Sequence, residues 1–286
     1  MRVVITGSER GQLYWELQRT QPTDATVINI ENRLDITDAV AVLACVDELK
    51  PDVIINAAAY TAVDKAESDS DNAYAVNETG VVNLANAANR CGAHLIHVST
   101  DFVFGKSNAS PFPTNAAVDP ISVYGKSKLA GEQQLRALMP DNSLLVRTAW
   151  VYSSHGNNFV KTMLRVMRER GEVGVIADQV GSPTWANSLA RALWQGAKLR
   201  SSGVMHWTDA GVASWYDFAQ AIMEEGLALG LLDSPATVNP LRTDQYPTPA
   251  ARPSYSVLEL TSTWDALQMN AAHWRVELRN MMRELT

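Results

Sequence analysis

The sequence predicts an α/β protein: a doubly wound parallel sheet covered by helices, followed by a smaller C-terminal lobe. Three observations predict it. The first 150 residues alternate short apolar runs with helix-like segments. The apolar runs are continuous, as strands buried on both faces require. A glycine-bearing turn, Gly7 to Gly11, lies between the first strand and the first helix, where backbone N–H groups can meet a phosphate.

Each element can be justified in order. Residues 2–6 (R-V-V-I-T) read as a buried strand and 13–19 as the helix after the turn. A strand at 26–30 and a helix at 38–49 make the next unit, and Pro51 introduces a strand at 52–55. An Ala- and Asn-rich helix covers 72–90, and Gly92 suits its C-terminal cap. A strand at 94–99 follows, then a helix at 123–138 after the turn-like D-P-I-S, then a strand at 144–147. This alternation, opening on a glycine turn, is Rossmann-like. The second half is less regular. Helices are expected at 158–170, 189–199, 214–229 with Ser214 as N-cap, and from about 271 to the end. Strands are expected at 173–176 and 204–207, and the Pro-rich 246–253 must be a loop. Residues 1–150, with roughly 174–210 returning to the sheet, are expected to form a nucleotide-binding domain; 151–173 and 211–286 form a substrate-binding lobe.

Composition narrows the function. Of 286 residues, 46% are hydrophobic and 19% charged, which is ordinary for a globular chain. The net charge of −7 excludes a general nucleic-acid binder. An anionic ligand then needs a local positive pocket or helix N-termini. Cys45 and Cys91 make no disulfide framework and suit core thiols in a reducing compartment. The N-terminus enters a strand without a signal-peptide layout, and no apolar run reaches membrane-spanning length. The expected location is cytoplasmic, without nucleic-acid or membrane partners, as a monomer or homodimer.

Thr100, Tyr124 and Lys128 are the candidates for chemistry. In a helix, Tyr124 and Lys128 share one face. A nearby ammonium favours the phenolate and lowers the tyrosine pKa. A tuned phenol can protonate an alkoxide during carbonyl reduction, and a threonine hydroxyl can bond the same oxygen. The other reading is an incidental pair on a solvated helix face. The glycine turn carries two glycines, with Tyr14 where a third would allow close helix–strand packing. It reads as a phosphate loop or as an ordinary turn. Glu31, 24 residues after Gly7, can bond a ribose 2′-hydroxyl, whereas Arg33 would welcome a 2′-phosphate. NADH and NADPH both stay open.

Several stretches together match a family: P-D-V-I-I-N-A-A-A-Y-T-A-V-D-K-A-E (51–67), V-S-T-D-F-V-F (98–104), V-Y-G-K-S-K-L-A-G-E (123–132), R-T-A-W-V-Y (147–152), G-N-N-F-V-K-T-M-L (156–164), D-Q-V-G-S-P-T (178–184) and Y-P-T-P-A-A-R-P (246–253). The chain resembles dTDP-4-dehydrorhamnose reductases, extended short-chain dehydrogenases/reductases. The resemblance implies hydride delivery from a nicotinamide to the C4 ketone of dTDP-4-dehydro-β-L-rhamnose. It implies Tyr124 as proton donor, Lys128 as its tuner and ribose ligand, and Thr100 as carbonyl partner. Expected cofactor contacts are Gly7, Arg10, Gly11, Gln12, Leu13, Glu31, Asp35, Ile36, Ala57, Ala58, Ala59, Tyr124 and Lys128. Expected substrate contacts are Thr61, Val63, Asp101, Phe102, Trp150, Asn158 and Arg252. Arg252 has a second reading as a loop-anchoring salt bridge.

Three departures from the family pattern stand out. The phosphate loop is one residue longer and carries Tyr14. The run S-Y-S-V-L (254–258) replaces an Asn-containing sequence. Glu16 matches an acid of a magnesium site that some members use, but Asn187 and Arg191 stand near its other acidic positions. An arginine disfavours a hard cation, so no metal is expected. Rival readings are a non-catalytic relative kept as a binding or regulatory subunit, and another extended-family epimerase or dehydratase. Thr100-Asp101-Phe102 lacks the Asp-Glu pair of a dehydratase.

Overall fold

The apolar runs of the first half are buried on both faces and pair side by side in one sheet. Val3, Val4, Ile54, Ile55, Leu95 and Ile96 are all within 1% of complete burial, which is why these strands carry no polar alternation. The computed structural model describes residues 1–28, 30, 34–106 and 108–286. Its strands are β1 (Arg2–Thr6), β2 (Thr26–Ile28), β3 (Val53–Asn56), β4 (His94–Thr100), β5 (Ser143–Thr148), β6 (Val151–Tyr152), β7 (Glu172–Ile176), β8 (Val180–Gly181), β9 (Thr184–Trp185), β10 (Gly203–His206), β11 (Ala213–Ser214) and β12 (Thr237–Leu241). Six of them form the central sheet in the order β10-β5-β4-β3-β1-β2, every pair parallel. The chain runs outward from β1 to β2, then returns to place β3 on the other side of β1. That reversal opens a crevice at the carboxyl ends of β1 and β3, where such sheets bind ligands.

Helices close both faces. On one side α1 (Gln12–Arg19) packs against a later helix, Ala186–Leu199, over Val3, Ile5, Val53 and Ile96. On the other, α2 (Ala39–Leu49) and two further helices cover Val4, Ile54 and Leu95. Between them the chain forms α3 (Val63–Ala66), α4 (Ser70–Tyr74), α5 (Gly80–Cys91), α6 (Val123–Leu138), α7 (Phe159–Arg170), α8 (Ala186–Leu199), α9 (Trp215–Ala228), α10 (Thr261–Leu267) and α11 (Trp274–Arg283). A third cluster joins α7, α9 and α11 around Tyr152, Trp185, Phe218 and Leu278. Among the described residues no helix is long and apolar enough to cross a membrane.

The α/β architecture is the expected one, and several details differ from the sequence reading. The helix expected at 72–90 runs from Ser70 to Cys91 but is interrupted by a π-turn at Ala75–Thr79. The extra residue turns Asn77 inward, where it accepts from Tyr60 N and donates to Tyr60 O and Ser127 Oγ. Such bulges are inserted where a side chain has to reach out of the helix ladder. Gly92 closes the helix in the left-handed region at φ 73°. Among the described residues the return to the large sheet is made by β10 alone. β7 pairs instead with β12 in a separate two-stranded parallel pair, where Pro240 of β12 is tolerated because the strand is an edge. Ser214 caps α9 in a reciprocal box with Asp217. The second strand is described to Ile28; Asn29, Glu31, Asn32, Arg33 and Ser107 lie outside the described residues.

Helix α6 is fixed to the sheet by a buried ion pair. Arg147 on β5 donates Nε to Glu132 Oε1 at 3.0 Å and Nη2 to Oε2 at 2.7 Å. Both side chains are at most 3% exposed. Removing one member of such a pair strands the other charge away from water. Glu132→Leu is expected to cost ~3–5 kcal/mol in urea unfolding, and Glu132→Leu/Arg147→Met to recover much of it.

Candidate active site

The crevice floor is built from backbone. Gly7 has φ +126°, and a Cβ there would lie 3.3 Å from Ala57 C, so only glycine lets β1 end against β3. Ala57 N donates to Thr6 O at 3.2 Å and Ala58 N to Asn56 Oδ1 at 3.0 Å. These bonds fix Ala57–Ala59 beside the glycine. Helix α1 opens at Gly11 with no side-chain cap among the described residues and no acid in its first turn. Its first N–H groups, from Gln12 and Leu13, and the positive end of its dipole are therefore available to an anion. Arg10 is exposed on the loop. The crevice fits a pyrophosphate on these grounds.

Tyr14 does not disturb this arrangement. The side chain that stands where a third glycine would allow close packing is 92% buried in the core, with Val3, Ile5, Leu17 and Trp194 in the same cluster. The side chain fills the helix–sheet interface rather than the loop. The loop is braced from the other lobe. Asn158, expected on the nucleotide-diphosphate side of the substrate, caps α7 and donates to Gln12 Oε1 and Ser153 O. His155 stacks on Trp15 with centroids 4.5 Å apart.

At the next strand, Asp35 is tied into its own turn, accepting from Thr37 N and Oγ1. The first of these bonds holds its carboxyl below the usual range. The Ile36 side chain is core, packed against Gly80, and Asn83 holds its carbonyl. A nucleotide could meet Ile36 only through backbone. Glu31 and Arg33, the residues that bear on cofactor choice, lie outside the described residues.

The candidates for proton transfer meet where β4 ends and α6 begins. Ser122 caps α6, and Glu67 of the A-V-D-K-A-E motif accepts from Val123 N at 2.8 Å. Gly125 lets the helix press on the following turn: a Cβ there would be 2.3 Å from Phe102 O. The Phe102 ring meets the Tyr124 ring edge-on at 5.5 Å. Tyr124 is half-buried, and desolvation pushes its phenol up to about 12; Thr100 acts against the rise and Asp101 with it. Burial, rather than Lys128, sets the direction of the phenol's shift here. The Lys128 amine is turned to Val98 O at 2.7 Å and lies 3.4 Å from His97 Nε2. Burial lowers Lys128 itself to about 8, with Glu132 opposing.

Thr100 and Asp101 form a hydrogen-bonded pair. Thr100 Oγ1 donates to Asp101 Oδ1 at 3.1 Å and accepts from Phe102 N at 3.2 Å. Asp101, expected to face the sugar, is 2% exposed and accepts from Ser256 Oγ at 2.6 Å. Burial pushes its carboxyl up to about 6, and the Ser256 and Thr100 bonds pull the other way. Asp101 thus stands behind Thr100 and orients it.

The walls come from distant segments. Trp150 adopts φ +48°, unusual for a bulky residue. It stacks on Trp215 at 3.6 Å between ring centroids, and its ring lies against Gly181. Strained backbone of this kind persists where surroundings over-determine it. Thr61 is exposed and Val63, half-buried, opens α3. Arg252 is committed elsewhere: it grips Asp64 with two bonds of 3.0 and 2.9 Å and also bonds Thr248 Oγ1 and Ala250 O. Of its two readings, the loop anchor is the one the geometry shows. Glu16 accepts from Ser153, Asn187 and Arg19, and Arg191 pairs with Glu277.

The whole chain, residues 1–286, matches the family described as RmlD substrate binding domain. A dTDP-4-dehydrorhamnose reductase of Aggregatibacter actinomycetemcomitans is 43% identical, over 98% of each chain. The chain belongs to the dTDP-4-dehydrorhamnose reductase family. A crystal structure of such a reductase from Clostridium acetobutylicum superposes with a TM-score of 0.92 at 40% identity, covering 100% of this chain and 99% of that one. One from Bacillus anthracis, in complex with NADP, gives 0.91 at 36% identity and 99% coverage of both.

Reading the sequence as a reductase of this family missed four residues that the site contains. Asn56 and His97 lie behind Lys128, Ser256 behind Asp101, and Trp215 against Trp150. Asn56 and His97 carried a weak signal, being polar residues inside apolar strands. Ser256 lies 155 residues from its partner; its signal was its place in the S-Y-S-V-L run that departs from the family pattern, which does not name the partner.

Two outcomes follow. Ser256 Oγ lowers the Asp101 pKa by bonding its carboxylate, so Ser256→Ala should raise it. The acid limb of kcat/KM, expected near pH 6 from Asp101, should move upward, with activity lost at a higher pH than in wild type. Tyr14→Gly should cost ~3 kcal/mol or more in urea unfolding, as large-to-small core changes do. Calorimetric titration should show no tighter NADPH binding, since Tyr14 does not obstruct the loop.

Proposed function

We propose that this chain reduces the C4 ketone of dTDP-4-dehydro-β-L-rhamnose to dTDP-β-L-rhamnose with NADPH or NADH. The observation that carries the reading is the convergence of Thr100, Tyr124 and Lys128 on one end of β4, next to the Gly7–Ala57 crevice. Family membership supplies the substrate class, and the relative from Bacillus anthracis in complex with NADP supports the cofactor class. When bound, the reduced nicotinamide supplies a hydride to C4.

The protein's own groups handle the oxygen. Tyr124 gives its proton to O4 as negative charge develops there. Its raised pKa keeps the phenol protonated until that moment. Thr100, held by Asp101 beforehand, turns its one O–H from that carboxylate to the same oxygen. Lys128 bonds the ribose side of the cofactor and bears on the charge left on Tyr124. Gly7, Arg10, Gly11, Gln12 and Leu13 hold the pyrophosphate, and Ala57–Ala59 line the nicotinamide side. Phe102, Trp150, Thr61 and Val63 bound the sugar, and Trp150 owes its rigidity to Trp215. We assign residues 1–150 with β10 to cofactor binding and most of the remainder to the substrate lobe.

The test is Tyr124→Phe, which keeps the ring and removes the proton. The expected loss is ~10²–10⁴ in kcat, with an unchanged melting temperature. Wild-type speed in single-turnover reduction would remove Tyr124 from the mechanism. Failure of the wild-type enzyme to oxidise NADPH in the presence of this keto-sugar would remove the reaction itself.

A further inference from the structure

A row of polar side chains crosses the apolar sheet beneath α6. Thr6, Asn56 and His97 are register partners on β1, β3 and β4, and each is 1% exposed. Thr6 Oγ1 donates to Asn56 Oδ1 at 2.6 Å, Asn56 Nδ2 lies 2.9 Å from His97 Nδ1, and His97 Nε2 lies 3.4 Å from Lys128 Nζ.

The direction of every proton in this row can be deduced. Ala58 N–H points at Asn56 Oδ1 at 3.0 Å, and a backbone N–H can only donate. The amide oxygen must therefore face Ala58, and the amide NH₂ must face His97. His97 Nδ1 is then an acceptor and carries no proton. A neutral ring with a bare Nδ1 has its proton on Nε2, which is the nitrogen that faces Lys128. Against an ammonium this is donor facing donor. Against a neutral amine it is a hydrogen bond.

We propose that His97 is a positioning residue that sets the ionisation of Lys128: held in the Nε2–H form by Asn56, it offers the lysine a donor and favours the amine over the ammonium. The proposal rests on the reading that Tyr124 and Lys128 carry the proton. Once Tyr124 has protonated the substrate oxygen, its phenolate must be refilled. The N–H bond of a Lys128 ammonium breaks, the O–H bond of Tyr124 forms, and the amine left behind accepts Nε2–H. Solvent returns the proton to the amine. A lysine biased toward its neutral form is the better donor for this step.

The surroundings agree. Burial holds His97 well below its ordinary value, so the ring stays neutral, and Lys128 is already lowered. Two groups of β4 meet Lys128: the Val98 carbonyl, which can accept from amine and ammonium alike, and His97, which tells the two apart. On its own helix stand Tyr124 and Glu132, and Glu132 raises the lysine while being tied to Arg147 of β5. Asp101, on the turn after β4, is engaged by Thr100 and Ser256. Among the packed helices, Glu67 is bonded to Val123 N, Asp69 to Tyr60 and Glu78 to Gln134.

Nuclear magnetic resonance of the full chain tests this without substrate or cofactor, so its outcome is separate from that of the proposed reaction. Long-range ¹H–¹⁵N correlations of ¹⁵N-histidine protein, with His97 assigned by its loss in His97→Gln, should show Nε2 protonated and Nδ1 bare from pH 6 to 9. A protonated Nδ1, or an imidazolium, would overturn the proposal. Titration of ¹⁵N-lysine protein, with Lys128 assigned through Lys128→Met, reads the lysine directly. In His97→Gln, where a carboxamide oxygen can turn to the lysine, its pKa should rise by about one unit. In Asn56→Asp the carboxylate takes Nδ1–H, so the ring should switch tautomer and the lysine should rise as well. A Lys128 pKa unmoved in both variants would leave His97 with packing alone and defeat the idea.

Discussion

The site depends on how α6 is held against the sheet. Two buried polar ties, one helical turn apart, do this: Lys128 to Val98 O on β4 and Glu132 to Arg147 on β5. Neither charge can leave without stranding a buried partner. A helix fixed by apolar contacts alone could slide by fractions of an ångström at little cost. A helix fixed by directional bonds to two adjacent strands cannot, and Tyr124, one turn before Lys128, inherits that precision. The π-turn at Ala75–Thr79 adds a third tie, because it sends Asn77 to Ser127 on the same helix.

The second half of the chain completes what the sheet begins. Ser256 reaches Asp101, Arg252 grips Asp64, and Asn158 braces Gln12. Each bond joins residues more than 140 positions apart, and each ends on a residue next to the cofactor crevice or the proton-transfer group. The lobe therefore shapes the cleft and also orients groups that the first half supplies. The A-V-D-K-A-E motif shows the same economy: Asp64 anchors the Pro-rich loop and Glu67 caps α6.

Desolvation decides the electrostatics here more than direct charge pairing. It raises Tyr124 and Asp101 and lowers Lys128 and His97. Each shift favours the neutral form, as removal from water always does. The hydrogen bonds then select which neutral or charged form is retained: Ser256 keeps Asp101 an acceptor, and Asn56 fixes the His97 proton. The phenol sits in a site that keeps its proton in place until a stronger base, the developing alkoxide, asks for it.

The sequence by itself determined the strands of the central sheet, the burial of its inner strands, the glycine crevice and the helix that pairs Tyr124 with Lys128. These are local properties: continuous apolar runs, a glycine turn and a four-residue spacing depend on neighbours within a few positions. The family motifs extended that reading to the reaction. Only the tertiary structure decided that Tyr14 is a core residue, that Arg252 and Asn158 are anchors, and that Asp101 stands behind Thr100. It alone placed β12 beside β7 and His97 behind Lys128. In each case the deciding contact joins segments far apart in the chain, and a side chain's chemistry does not reveal which distant partner will claim it. An arginine suits a phosphate and an aspartate equally well; the fold brought Asp64 to Arg252 first.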